Sequence, residues 1–280
     1  MTKFVLFFTM MIGCISIFAQ TKMAACCSQS ATEKFAALAN DETFVMLHDA
    51  PISFTYHSAN GSDIHYKAAD GSDAHGWMVK ASKPTNYYIL VVHEWWGLND
   101  YIKQESEKLS NDLGANVIAV DLYDNKVATT PDEAKTLVQA VKTDRAVNII
   151  KGAYTYMGSN AKVFTIGWCF GGGWSLQAAL LGGENVVGCV MNYGMPESDV
   201  NKLKTLHCDV IGFFANKDQG ITPAVVDKFQ ENMKTADKKL TVNRYDADHA
   251  FANPSNPHFN KEATEDAYAK TIAFIKERMK

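Results

Sequence analysis

The chain lacks the marks of several protein classes. No Lys/Arg block runs through it and no long acidic tail closes it, with 27 basic against 31 acidic residues and a net charge of -4. A nucleic-acid surface is therefore not indicated. No internal repeat or low-complexity block occurs, which argues against a solenoid or an array. No CxxC pair and no Cys/His spacing of the zinc type is present, and the HE of His93-Glu94 meets Gly97 where HExxH needs histidine. No metal and no cofactor is expected on these grounds. What remains is ordinary globular composition over 280 residues, 47% hydrophobic and 21% charged. One domain with a full core is the expectation.

The first residues read MTKFVLFFTMMIGCISIFAQ. Lys3, the apolar run Phe4–Ala19 and the small residue before Gln20 stand in the order of a secretory signal peptide. The run is short for a membrane span. The expectation is a signal over residues 1–19, a linker or N-terminal extension over 20–51, and a domain over 52–280. The chain would then be periplasmic or secreted, with no transmembrane segment after cleavage. MIGC (Met11–Cys14) and MAAC (Met23–Cys26) weakly resemble lipid-attachment boxes. If Cys14 leaves with the signal, five cysteines remain, so at least one thiol is free. Cys189 and Cys208 lie in strand-like runs, where cysteine acts as a small hydrophobe.

From Ile52 the pattern turns regular. Ile64–Ala81 reads as two strands around an Asp70-Gly71 turn. Tyr87–Glu94, Asn116–Tyr123, Lys162–Cys169, VVGCVMNYG, DVIGFFANKD and LTVNRYDA read as further strands. Between them fall helical stretches: Tyr101–Gly114, one long stretch from Pro131 to Met157, a glycine-rich start at Phe170, and Thr222–Lys239. A last helix follows Lys261. Strands alternating with helices imply parallel crossovers, hence an α/β fold with a mostly parallel central sheet and helices on both faces.

Gly167-Trp168-Cys169-Phe170-Gly171 stands at one strand-to-helix junction. It is the nucleophile-elbow pattern G-x-S-x-G with sulfur in place of oxygen. The glycines clear room for a sharp turn, and the following helix N-terminus favours a thiolate and offers N–H groups to an oxyanion. The elbow chemistry needs an acid and a histidine later in the chain. Asp218 ends one strand and His249 follows the last; Asp246 and Asp248 compete for the acid role from positions very near His249. Open α/β sheets bind ligands at the carboxyl ends of their strands, where Cys169, Asp218 and His249 all fall. The loop His93–Asp100 ends another strand and carries the acid Glu94. Trp95, Trp96 and Trp168 flank the expected site and suit an apolar pocket.

Together the elbow, the HEWWG loop, VIAVDLY, FFANKD and DADHAFAN resemble the dienelactone hydrolase family of α/β-hydrolases over about residues 52–280. The resemblance implies hydrolysis of a small-molecule ester or lactone. It implies Cys169 as nucleophile, His249 as base, Asp218 as its orienter and Glu94 as the carboxylate that activates the thiol. The oxyanion donors would be the N–H groups of Trp95 and Phe170. Members acting on anionic dienelactones carry arginine in an HSFAR-like run; here HAFAN puts Asn253 at that place, so Trp96, Trp168 and Asn253 are the expected substrate contacts. An acyl transferase on the same elbow and a catalytically silent exported binding protein are the alternative readings.

Overall fold

The computed structural model describes Met1 and residues 30–280. The signal-like segment, Cys14, Cys26 and Cys27 lie outside the described residues. The strands are β1 (Gly61–Lys67), β2 (Asp73–Val79), β3 (Tyr87–Val92), β4 (Asn116–Val120), β5 (Lys162–Trp168), β6 (Val186–Asn192), β7 (Val210–Ala215) and β8 (Leu240–Tyr245). The helices are α1 (Ala31–Leu38), α2 (Glu42–Met46), α3 (Asp100–Leu113), α4 (Pro131–Ala140), α5 (Thr143–Met157), α6 (Phe170–Gly182), α7 (Val200–Lys204), α8 (Pro223–Thr235) and α9 (Lys261–Arg278).

The strands form one sheet in the order β1-β2-β4-β3-β5-β6-β7-β8. Strand β1 pairs antiparallel with β2, and β2 with β4; from β4 to β8 every pairing is parallel. Central strands read as unbroken apolar runs because both faces are covered. In β3, Ile89 through Val92 are fully buried, and β4 is buried along its whole length. Helices α5 and α6 pack together on one side, against β1 and β4 and against β5 and β6, while α3 and α9 meet on the other. Among the described residues no helix is long and apolar enough to cross a membrane.

Two features depart from the sequence expectation. The stretch from Pro131 to Met157 is two helices, parted where Val141 and Lys142 turn extended (ψ 121 and 125). No proline or glycine stands there to announce the break. Within residues 20–51, a span expected to be linker, Ser30 and Asp41 cap two short helices. Helix α1 lies on α6 and α4, burying Phe35 against Phe170 (centroids 5.6 Å apart). Helix α2 buries Phe44 against Trp95 and His249. Neither helix is long enough to be stable alone; the core beneath them supplies the apolar surface.

The junction between β5 and α6 is the tightest point of the fold. A Cβ on Gly167 would fall on the Gly171 carbonyl, and one on Gly171 would fall on the carbonyls of Val92 and His93. Strand and helix backbones thus touch directly. Gly167→Ala is expected to destabilise the protein by about 1–3 kcal/mol or more, because the clash is with backbone and no side chain can move aside. A urea unfolding midpoint equal to that of the wild type would show that the contact relaxes freely.

Candidate active site

Cys169 occupies a backbone conformation that few non-glycine residues adopt, φ 55 and ψ -119. The Cys169 N–H donates to Asn192 O (3.0 Å), and Cys169 O accepts from Gly172 N–H (3.0 Å). These bonds hold the turn on both sides and aim the sulfur out of the sheet. The Phe170 N–H at the start of α6 points back at the thiol.

His249 follows β8 in a tight loop whose next residue, Ala250, also has positive φ (60°). Its Nε2 lies 3.3 Å from Cys169 Sγ and its Nδ1 lies 2.5 Å from Asp218 Oδ2. The other Asp218 oxygen accepts from the N–H groups of Gly220 and Ile221, each at 2.8 Å. Cys169, His249 and Asp218, predicted from three separate strand ends, therefore form one hydrogen-bonded chain. Asp246 points elsewhere, 3.1 Å from Lys217, and Asp248 pairs with His258. Burial opposes the Asp218 charge, but His249 and the two backbone donors outweigh it and hold the carboxyl below its ordinary value. Burial also opposes charge on His249, and Asp218 with Cys169 outweighs it, raising that pKa. Burial pushes the Cys169 thiol up, with His249 pulling the other way. Asp218 thus favours a proton on the imidazole, while burial disfavours charge on the sulfur.

Glu94 is buried at the end of β3 and makes no hydrogen bond to the sulfur. It accepts from Asn253 Nδ2 (2.5 Å) and from Tyr193 Oη (3.3 Å). Burial is the main cause that lifts its pKa to about 7. The Asn253 Oδ1 accepts from the N–H and hydroxyl of Ser255. Asn253 therefore acts on Glu94 with one of its two Nδ2 hydrogens, and it also lines the cleft described below. Tyr193, at the end of β6, also stacks edge-on against His249 (5.2 Å). The sequence reading missed it, although its place in NYG at a strand's carboxyl end was the available signal.

The loop after β3 is held by His93. Its Nδ1–H donates to Glu94 O (2.6 Å) and its Nε2 accepts from Leu122 N–H (3.1 Å), which defines a neutral tautomer. Trp95 and Trp96 are buried and stack on each other (5.1 Å), packing the loop from inside. Trp168 instead lines a cleft of about 110 Å³ together with Glu94, Asn192, Tyr193, Asn253 and Tyr268. Neither Cys169 nor His249 lines this cleft, and Cys169 is 1% exposed.

The N-terminal arm covers the sulfur. His48, just beyond α2, puts Nε2 3.7 Å from Cys169 Sγ, and its ring lies 4.3 Å from that of Trp95. Its Nδ1 is 2.8 Å from Phe44 O. Burial drives the His48 pKa down to about 3. The stretch had no strong period, and only the i, i+4 spacing of Phe44 and His48 put both on one helical side.

A mostly parallel sheet, a cysteine at the elbow and an acid–histidine pair at the strand ends define the α/β-hydrolase class. The comparisons narrow it. The dienelactone hydrolase family model matches residues 75–279. A provisionally named carboxymethylenebutenolidase of Saccharolobus solfataricus is 26% identical over 257 residues, covering 76% of this chain and 97% of its own. Carboxymethylenebutenolidase 1 of Cupriavidus pinatubonensis is 24% identical over 228 residues, covering 76% and 95%. Among solved structures, a dienelactone hydrolase-like promiscuous phosphotriesterase from metagenomic libraries superposes with a TM-score of 0.68 at 17% identity, covering 79% of this chain and 99% of that one. The chain belongs to the dienelactone hydrolase family.

Glu94 makes stability pH-dependent in a definite direction. Its folded pKa of about 7 exceeds its ordinary 4.5, so the folded chain holds the proton longer than the unfolded chain. The stability this gives is full below pH 4.5, is lost as pH rises through about 7, and totals on the order of 3 kcal/mol. Glu94→Gln is expected to gain stability relative to wild type across that window. Unfolding curves for the two proteins that stay parallel from pH 4.5 to 8 would refute the buried, proton-holding state of Glu94.

Proposed function

We propose that this protein is an exported hydrolase of activated or strained esters and lactones, with Cys169 as nucleophile. The observation that carries the reading is the continuous path from Sγ through His249 to Asp218. As substrate binds, His249 Nε2 accepts the thiol proton and the sulfur attacks the carbonyl carbon. The N–H groups of Phe170 and Trp95 receive the oxyanion. Collapse expels the alcohol, which takes the proton from His249 and leaves an acyl-thioester. His249 then removes a proton from water, the hydroxide attacks the thioester, and the acid leaves as the thiol is restored.

Glu94 has a separate part in this scheme. As an anion it raises the Cys169 pKa and so opposes thiolate formation. With its own pKa near 7 it is matched to accept a proton at working pH. Taking a proton from solvent as substrate enters removes that opposing charge and so favours the thiolate–imidazolium pair that forms when His249 takes the thiol proton. Asn253 and Tyr193 hold it in position for this. The absence of arginine at position 253 favours substrates without a carboxylate anchor, and Trp168 and Tyr268 offer aromatic surface for an apolar acyl or alcohol part.

Cys169→Ala is expected to lower kcat for a p-nitrophenyl ester by at least about a thousandfold, as removal of an acyl-enzyme nucleophile does. Wild-type turnover in a folded variant would remove the thiol from the mechanism. Export is supported by the charged start, the apolar run and Ala19 before Gln20. Mass spectrometry of the protein expressed with its leader is expected to find the chain beginning near residue 20; an intact Met1 on all of it would refute processing.

A further inference from the structure

Two imidazoles converge on one thiol from independent parts of the fold. The Nδ1 of His48 faces the Phe44 carbonyl, which can only accept, so that nitrogen carries the hydrogen and Nε2 presents a lone pair to the sulfur. The Nδ1 of His249 faces the Asp218 carboxylate, and its Nε2 lies 3.3 Å from the same sulfur. The three donor atoms are buried together, enclosed by the rings of Phe44, Trp95 and Tyr193.

A metal ion fits this convergence, because it can take a lone pair from each of the three atoms at once. With Zn–S near 2.3 Å and Zn–N near 2.0–2.1 Å, a tetrahedral site needs S···N separations of about 3.6 Å. The two here are 3.3 and 3.7 Å, and the three donor atoms all lie within 4.8 Å of one another. One thiolate and two neutral imidazoles are a soft set that suits Zn²⁺ over Mg²⁺ or Ca²⁺. We propose that His48, Cys169 and His249 form a Zn²⁺-binding site whose occupancy blocks the nucleophile and pins the N-terminal arm over it. Binding forms one Zn–S bond and two Zn–N bonds and releases the Cys169 thiol proton to solvent. The fourth position is open to water. The blocking consequence rests on the reading of Cys169 as nucleophile; the site itself does not. The sequence held no zinc-type spacing because the ligands lie 121 and 80 residues apart and meet only through folding.

The test uses Co²⁺ and Zn²⁺ on the purified chain. An exposed cross-strand pair, His65 and His75, brings its Nδ1 atoms to 2.8 Å and could hold a second ion. The measurements are therefore made in a His65→Ala background. One Co²⁺ per chain is expected, with a sulfur-to-cobalt charge-transfer band that Cys169→Ser abolishes. His48→Gln is expected to weaken binding at least about tenfold and to change the d–d spectrum, as loss of a ligand does. Zn²⁺ is expected to inhibit p-nitrophenyl ester turnover and to shield Cys169 from alkylation, both reversed by a chelator. Should His48→Gln fail to fold, X-ray absorption of the Zn²⁺-loaded parent decides, with one sulfur and two imidazoles expected. No charge-transfer band, fewer than two imidazoles, or unchanged affinity in a folded His48→Gln would overturn the site and leave the hydrolase reading standing. Full metal occupancy with undiminished turnover would overturn the blocking and, with it, the role of Cys169 as nucleophile.

Discussion

The strained backbone at Cys169 is the constraint on which the rest depends. A residue at φ 55 and ψ -119 persists only where its surroundings leave no alternative. Here the surroundings are backbone on backbone: Gly167 against Gly171, and Gly171 against the end of β3. That contact sets how closely α6 approaches the sheet. It also sets where the sulfur projects and where the first N–H groups of the helix point. The parallel order of β3, β5, β6, β7 and β8 then delivers the remaining groups to the same edge. Glu94, Tyr193, Asp218 and His249 each follow a strand end.

Charge in this centre is governed by burial. Asp218 stays ionised because three donors compensate it, the His249 ring and two backbone N–H groups. Glu94 has two neutral donors, and burial prevails. Two carboxylates in one site thus take different protonation states for an identifiable reason, the number and kind of their partners. His48 is the third case: with a carbonyl as its only close polar neighbour besides the thiol, it is held neutral. The centre combines a fixed negative charge, a group able to gain or lose a proton near neutrality, and a ring that stays uncharged.

The N-terminal arm gives this family member a covered centre. Phe35, Phe44 and His48 occupy the space above Phe170, Trp95 and the thiol. The cleft that reaches Glu94 lies to one side, between α3, α9 and the loop around Asn253. The cleft and the sulfur are thus separate features of the molecule.

The sequence by itself determined the fold class, the elbow and the order of cysteine, acid and histidine. Those rest on local chemistry: apolar runs buried on two faces, glycines flanking a turn, and polar residues at strand ends. The choice of Asp218 over Asp246 and Asp248 was also within reach, because neighbours so close in sequence rarely meet the far nitrogen of a histidine. Tertiary structure decided the rest. It turned Asn253 toward Glu94, sent Trp95 and Trp96 into the packing of their own loop, and left Trp168 in the cleft. It broke the helix at Val141 without a breaker residue and folded residues 31–46 onto the site. His48 reaches Cys169 across 121 residues of chain. Such contacts leave no periodic trace, because they depend on which surfaces two distant segments present once each has already packed.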